Sequence, residues 1–391
     1  MKSIFKFFRK DSVGNPPWDY YFLRNLEKCE YPRYLVKAFY LNTGEKLPLK
    51  HGVIDKKKLK TFNQKIQWLK LYDETQLKKD CTDKVKVRDY VKEKIREEYL
   101  KPVLQIIPNE SHETVCCHCE QVNDNLGLAR QSTDGSHDIL DCRADIKVSS
   151  SARLRFPKFQ FRENRVLAEY NDGVLVFKDN DNKNNDVSTY FDRIDFDKLP
   201  NAFVLKCNHG CKWQYIIKNK NEFLKNKQLF ETVKKNITGW LEQDYSFWGG
   251  FEMNYRGIEP KILIEPLLTD EINTPPREIE VYCFNGNPKI FVSVRYGENR
   301  EICSYDENFN IIDLVFHNDE KNIIKQEKAD CLIKQTFDLS IRLSKGFSFV
   351  RCDWLIFNNK LYFNELTFNP YSGFMRFDKK WNLKLGNYIN L

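Results

Sequence analysis

Asp353 and Glu365 are two carboxylates in a stretch, residues 349–368, where aromatic and aliphatic side chains flank Asn358-Asn359-Lys360. Such a pattern predicts a β-hairpin. A three-residue loop over Asn358, Asn359 and Lys360 sets Phe357 against Leu361. Asp353 then lies opposite Glu365, and Arg351 opposite Thr367, while Cys352/Leu366 and Val350/Phe368 share the apolar face. A two-residue loop would instead put Glu365 opposite Cys352. Because a one-residue slip turns every side chain over, the pattern favours the longer loop. Facing carboxylates repel each other, and a hard cation relieves that conflict. A pair that leaves room for water and phosphate oxygens suits Mg²⁺. Two solvated carboxylates on an exposed sheet face are the plainer alternative.

Three further runs could carry chemistry. Residues 203–206 read as a strand ending in Lys206, followed by the loop Asn208-His209-Gly210-Cys211-Lys212 and a returning strand over 213–218. A lysine beside a glycine-containing loop can hold phosphates, the backbone N–H groups pointing inward and the ammonium supplying charge. An ordinary hairpin with an exposed lysine is the alternative. Residues 261–268 read as a buried strand running into Glu265 and Pro266. An acceptor at the end of such a strand can take the amino group of adenine, although a surface glutamate is the commoner case. Residues 277–284 form another strand, and Asn285-Gly286 signals a type I′ turn into its partner over 288–295.

The elements that must position these runs follow from periodicity. Residues 20–50 mix aromatic and charged side chains at spacings compatible with a helix. Phe62, Ile66 and Leu69 predict an amphipathic helix over 61–72. Val87, Val91, Ile95 and Tyr99 predict a second helix with one apolar stripe, ending near Tyr99. Residues 108–188 change character, being polar and rich in Cys, His, Asn and Asp. They contain a turn signal at Asn171-Asp172-Gly173 between two apolar runs, 166–170 and 174–177, which predicts a hairpin. They also carry His112, Cys116, Cys117, His118, Cys119, His137 and Cys142. Cys116-x-x-Cys119 has the spacing of zinc ligands, and His137 or Cys142 could complete a Zn²⁺ site. A surface insertion with free thiols is the blander reading. The Asp/Asn-rich run 178–186 lacks the glycine and terminal glutamate of a calcium loop.

Composition sets the outer bounds. With 391 residues, 41% hydrophobic and 14% aromatic, the chain is long and apolar enough for two or three folded domains. The net charge of +8, from 63 basic and 55 acidic residues, is too mild to argue for nucleic acid, and a basic cleft for phosphates accounts for it equally well. The twelve cysteines are expected to be reduced, in a cytoplasmic protein. Residues 1–10 are basic and aromatic, with too short an apolar run for a signal peptide. They could rest on an anionic membrane surface at its inner face, though a frayed basic terminus is simpler. No stretch approaches a membrane-spanning length.

Taken in order, residues 61–70, 83–91, 206–210, 282–286, 351–353 and 365–373 resemble the TupA-like (teichuronopeptide biosynthesis) ATP-grasp family. The resemblance covers about residues 30–107 and 189–391. It implies an α+β, ATP-grasp fold in which two α/β subdomains enclose ATP. The implied layout is a mostly helical N-terminal domain (1–107), the insertion (108–188) and an ATP-grasp domain (189–391). By position, Lys206 would contact the ATP phosphates, and Asn208, His209, Gly210 and Lys212 would belong to the loop covering them. Glu265 and Leu268 would form the adenine hinge. Arg277 stands where D-alanine–D-alanine ligase relatives carry a basic residue. Asp353 and Glu365, with Asn369, would hold Mg²⁺, and Arg351 would stabilise charge developing at the reacting carboxyl.

Four departures from the family pattern stand out. Cys211-Lys212 replaces a usual Ser-Gly, Glu280 replaces a usual lysine, Thr367 stands where many relatives have asparagine, and segment 108–188 is extra. The implied activity is an ADP-forming carboxylate–amine ligase that makes an amide through an acylphosphate. Its place would be bacterial surface polysaccharide assembly, on a capsule, lipopolysaccharide or teichuronic-type polymer. The implied partners are a small-molecule or polysaccharide carboxylate and an amine. A glycosyltransferase-type role in the same assembly and a non-catalytic ATP- or glycan-binding role are the alternatives. Oligomeric state is left open.

Overall fold

The computed structural model describes residues 23–26, 28–108, 166–171, 174–179, 187–248, 250–269, 275–297, 299–314 and 322–391. The chain begins with helix α1 (Tyr31–Thr43), a short hairpin of β1 (Leu49–Lys50) and β2 (Val53–Ile54), and helices α2 (Phe62–Tyr72), α3 (Gln76–Thr82) and α4 (Val87–Ile95). Strand β3 (Gln105–Ile107) follows, then the hairpin β4 (Val166–Asn171) and β5 (Val174–Asp179). Next come β6 (Phe203–Cys207), β7 (Gln214–Ile217), helices α5 (Lys220–Lys225) and α6 (Lys227–Leu241), and β8 (Ile262–Pro266). The remainder is β9 (Arg277–Phe284), β10 (Asn287–Tyr296), β11 (Arg300–Asp306), β12 (Ile311–Ile312), β13 (Asn322–Ile324), α7 (Cys331–Ser344), β14 (Phe349–Phe357), β15 (Lys360–Thr367) and α8 (Lys379–Tyr388).

Local sequence explains most of these boundaries. Thr61 and Gln64 form a reciprocal capping box at the start of α2, as the Thr-x-x-Gln spacing allows. Helix α4 is shorter than its apolar stripe suggested. It stops at Ile95 because Arg96 adopts φ 94°, and Tyr99 lies in a separate 3₁₀ turn. The β9–β10 turn has Asn285 and Gly286 at φ 49° and 79°, the left-handed pair that a type I′ turn requires. The predicted hairpin in 166–177 is β4–β5, paired antiparallel.

Two antiparallel sheets dominate. One has the order β3-β8-β6-β7, and the other β12-β11-β10-β9-β14-β15, with β13 added parallel to β11. Leu205 and Cys207 on β6, with Ile262 and Ile264 on β8, face a core completed by Val233, Ile237 and Trp240 of α6. On the larger sheet Ile279, Val281, Val350, Cys352 and Trp354 pack under Ile333 and Leu343 of α7 and Val87 and Val91 of α4. The opposite face, with Tyr282, Phe284, Val292 and Phe349, takes Phe62 and Ile66 of α2 and Trp381 and Leu385 of α8. This is the expected α+β architecture.

Residues 1–110 and 186–391 form one compact unit, and 111–185 another. The helices expected as a separate N-terminal domain therefore share cores with the large sheet. Within the second unit only β4 and β5 are described. The candidate zinc ligands His112, Cys116, Cys117, His118, Cys119, His137 and Cys142 lie outside the described residues, as do residues 1–10 and most of the linker 178–186. Among the described residues no helix is long and apolar enough to cross a membrane.

The register of β14 and β15 contains a correction. Phe357 pairs with Lys360, so the loop is the two-residue turn Asn358-Asn359, with φ 48° and 56°, and not a three-residue loop. Asp353 nevertheless pairs with Glu365, Arg351 with Thr367 and Cys352 with Leu366. A β-bulge restores the alignment: Trp354 pairs with Phe363, leaving Asn364 as the extra residue.

Helix α8 approaches the start of α2 at Gly386, where a Cβ would stand 2.2 Å from the Lys60 carbonyl oxygen and 2.8 Å from the Phe62 nitrogen. Backbone cannot yield as a side chain can. Gly386→Ala is expected to cost on the order of 1–3 kcal/mol in urea unfolding, as overpacked cores do. An unchanged midpoint would mean that the two helices separate freely at this point.

Candidate functional site

A cleft of about 560 Å³ runs between the two sheets. Alternation along the strands decides what enters it. On β6 and β8, Lys206 and Glu265 project to the side opposite Leu205 and Ile264. On β9, the even-numbered Glu278 and Glu280 line the cleft, while Ile279 and Val281 enter the core. Arg277 shares the odd-numbered face, so it does not join Lys206 and Glu265 in the cleft as expected. It bonds Ser293 Oγ at 2.8 Å and pairs with Asp330, and lines a separate depression. Leu268, half-buried just beyond β8, also does not line the cleft.

One end of the cleft is cationic. Lys206 Nζ lies 2.7 Å and Lys101 Nζ 3.1 Å from Glu265 Oε2, with side-chain exposures of 13%, 6% and 6% for Lys206, Lys101 and Glu265. Burial opposes ionisation of Glu265, but the two lysines bring its carboxyl down to about 2. Burial and the neighbouring Lys206 lower Lys101 to about 8. Glu265, expected beside adenine, is thus the counter-ion of two lysines. Lys84 and Lys212 line the same end. Lys101 was not singled out in the sequence: Leu100-Lys101-Pro102 carries no motif, and its role is visible only once it meets Lys206 in space. Its ammonium also donates to Asn364 Oδ1 at 3.0 Å, so the bulged residue of β15 reaches across to the smaller sheet's side of the cleft.

Asn208 and His209 hold the loop from behind and do not line the cleft. Asn208 donates to Asp83 Oδ1 and the Glu259 carbonyl, both at 2.9 Å, and accepts from the Lys261 N–H at 2.7 Å. The His209 ring nitrogens lie 3.1 Å from Asn208 Oδ1 and from the Trp240 carbonyl. Gly210 has no room for a side chain, since a Cβ would sit 2.2 Å from the Trp213 ring. Lys212 takes φ 61°. A non-glycine residue there costs about 1–2 kcal/mol relative to a glycine, the residue the family pattern usually has at this place.

The other end is acidic. Arg351 forms a bidentate pair with Asp353, Nε–Oδ1 2.7 Å and Nη2–Oδ2 2.8 Å, and Thr367 Oγ1 donates to Oδ2 at 2.8 Å. Asp353 is fully buried behind Arg351 and does not itself line the cleft. Burial pushes its carboxyl well up, against the opposing pull of Arg351. Arg351 also lies 3.4 Å from Glu280, which accepts the Tyr282 hydroxyl at 2.9 Å. The acid at position 280 is therefore part of the network that holds this arginine. Glu365 is half-buried and lines the cleft, as does Asn369.

Asn369 tests whether a cation fits. It is 4% exposed, its Nδ2 donates to Asn254 Oδ1 at 2.6 Å, and its Oδ1 is buried with no hydrogen-bond partner. A bare buried acceptor is costly to leave unmet. Glu365 lines the same cleft, and with the lone pairs that Arg351 and Thr367 leave on Asp353 these groups would offer oxygen donors only, the chemistry that suits Mg²⁺. Among the described residues no group of three or more His, Cys, Asp or Glu side chains is placed to hold a metal. The set here is two carboxylates and one amide.

Asn369 leads into a strained turn. Tyr371, Ser372 and Gly373 have φ 49°, 54° and 73°. The two non-glycine residues cost about 1–2 kcal/mol each in this conformation. Glu252, which also lines the cleft, stands near the turn, and burial pushes its carboxyl up to about 7 against the pull of Lys70.

A family model described as TupA-like ATPgrasp matches residues 175–390. No curated protein matches the chain. Among solved structures, it is similar to D-alanine–D-alanine ligase from Bacillus anthracis, at 20% identity over 45% of this chain and 46% of that one, with a TM-score of 0.26. The enzyme of the same name from Helicobacter pylori gives 13% identity over 52% and 53%, with a TM-score of 0.25. The ATP-grasp ligase PsnB, complexed with a precursor variant, Mg and ADP, gives 12% identity over 48% and 45%, with a TM-score of 0.25. The chain thus spans about half the length of each of these structures.

The Glu265 pair predicts a pH dependence. Its folded pKa of about 2 lies below the ordinary 4.5, so its stabilisation is complete above about pH 4.5 and is lost as pH falls through about 2. The stability gap between wild type and Glu265→Gln in urea unfolding is expected to shrink between pH 5 and pH 2. A gap that stays constant over that range would show that Glu265 is not held ionised by the lysines.

Proposed function

Since the chain belongs to the TupA-like ATP-grasp family, we propose that it is an ADP-forming carboxylate–amine ligase. The observation that carries this reading is one cleft lined both by the cations Lys101 and Lys206 and by Glu365 with the bare Asn369 oxygen.

The chemistry follows from what each set can hold. Lys101 and Lys206 already bind a carboxylate between them, and a nucleotide's phosphate oxygens would offer them more charge. Gly210 and Lys212 keep the covering loop close. Glu365 and Asn369, with Asp353, would hold magnesium, which would supply positive charge against the phosphate oxygens. A substrate carboxylate oxygen attacks the γ-phosphorus, the bond to the β–γ bridging oxygen breaks, and ADP leaves. The amine then attacks the carbonyl carbon, loses a proton, and phosphate departs with the C–O bond electrons. Arg351, which lines the cleft, would balance the added negative charge. The family resemblance supports a carboxylate carried by, or destined for, a bacterial surface polysaccharide.

One observation favours a second reading, nucleotide binding without turnover. Both oxygens of Asp353 are engaged by Arg351 and Thr367, so full use of this carboxylate requires Arg351 to turn towards substrate.

Calorimetry with ATP, with and without Mg²⁺, is the first test. Wild type is expected to bind more tightly with the metal, and the Asp353→Asn/Glu365→Gln double variant to lose about tenfold or more of that gain. ADP release that requires both an acid and an amine would support the ligase. Binding that is indifferent to both the metal and the double substitution would falsify the site. Metal-dependent binding with no ADP release across a panel of uronic acids, acidic glycans and amino acids would favour the second reading.

A further inference from the structure

Besides Asn63, helix α2 carries two buried polar side chains, Gln67 and Lys70, for which the ligase reading has no use. Gln67 is fully buried, Lys70 is 2% exposed, and neither lines the cleft. An ammonium in the interior is costly unless its protons are taken up. All the bonds these two side chains make beyond their own helix go to one short segment. Gln67 Nε2 donates to the carbonyl oxygens of Ser372 and Gly373, both at 3.0 Å. Lys70 Nζ donates to the Ser372 carbonyl at 3.0 Å, to Ser372 Oγ at 3.1 Å and to Gln67 Oε1 at 3.0 Å.

That segment is the left-handed turn described above. Such a conformation persists in non-glycine residues only where the surroundings over-determine it. Gly373 leaves the clamp no slack, since a Cβ there would meet Gln67 Nε2 at 2.5 Å and Ile66 Cγ2 at 2.9 Å. The turn in turn borders the site. Asn369, Tyr371 and Ser372 all line the cleft, and the Ser372 N–H donates to the Asn369 carbonyl at 2.8 Å. Asn254 Oδ1 accepts from Asn369 Nδ2.

We propose that Gln67 and Lys70 are positioning residues, which clamp the turn 371–373 and so fix where Asn369 presents its bare oxygen to a cation. They act through Ser372 and touch no substrate. The inference rests on the nucleotide-site reading only for the ligand used in one arm of its test. It also explains why buried polar residues occur at Gln67 and Lys70 on a helix whose neighbouring positions Phe62, Ile66 and Leu69 pack into an apolar core.

Lys70→Met keeps length and removes the charge. Gln67→Leu removes the donors, and serves if the first variant does not fold. In hydrogen exchange, the Ser372 and Phe374 amides are expected to exchange about tenfold faster in either variant, with the strands of both sheets unchanged. In calorimetry, affinity for ADP with Mg²⁺ is expected to weaken about fivefold or more, and affinity for ADP alone by less than about twofold. Unchanged exchange at 372–374, faster exchange throughout the unit, or equal losses of affinity with and without metal would each overturn the proposal. Should wild type bind no nucleotide, the ligase reading fails, while the exchange arm still decides whether the clamp exists.

Discussion

Side chains on a strand alternate between faces, and three neighbouring strands must keep that alternation in phase for their polar residues to meet. In β9, β14 and β15 the pairs Asp353–Glu280, Asp353–Glu365 and Arg351–Thr367 all depend on this phase. A shift of one residue in either ladder would bury Glu365 among Cys352 and Val281, or turn Arg351 into the helix-covered core. The apolar faces enforce the phase. Trp354, Val350 and Cys352 are fully buried on one side, and their removal from water outweighs anything a slipped register could gain. The polar site is in this sense held in place by the packing behind it.

The two ends of the cleft solve the problem of buried charge in different ways. At the cationic end, two lysines share one glutamate, which leaves an excess of positive charge for an anionic ligand. At the acidic end, Arg351 is paired with Asp353 and stands near Glu280, while Glu365 and Asn369 are less fully met. Asn364 ties the two together, because the residue bulged out of β15 is the one that accepts from Lys101. Lys101, Lys206, Glu265, Glu280 and Arg351 can remain charged in one partly dry cleft because each has at least one partner at hydrogen-bond distance.

Much of this was legible in the sequence, and the failures are instructive. Strand and turn chemistry located β6, β8, β9, β10 and their hairpins, and the helical spacing of Phe62, Ile66 and Leu69 located α2. Asp353 was placed opposite Glu365 for a reason that proved incorrect. A three-residue loop with a regular ladder and a two-residue turn with one bulge give the same pairing, so hydrophobic pattern alone cannot separate them. The type I′ preference of Asn358-Asn359 was the signal that could have done so. Lys101, Asn364, Gln67 and Lys70 were missed for another reason. Each acts through a partner more than 200 residues away or on another sheet, and local pattern holds no information about such encounters. Arg277 was assigned to the cleft by likeness of position, although its odd parity on β9 already set it on the other face.

The turn and the bulge have a consequence for how this hairpin can change over time. What must be kept is the separation of Asp353 from Glu365, with eleven residues between them. If the bulge is absorbed, the tip lengthens by one residue and the pairing returns unchanged. Insertions and deletions are thus tolerated in compensating pairs and penalised singly. Asn358, Asn359 and Lys360 are individually replaceable, whereas their number is not. Descendants of this chain can drift at the tip in composition, and even in turn type, while the spacing between the two carboxylates stays as fixed as the carboxylates themselves.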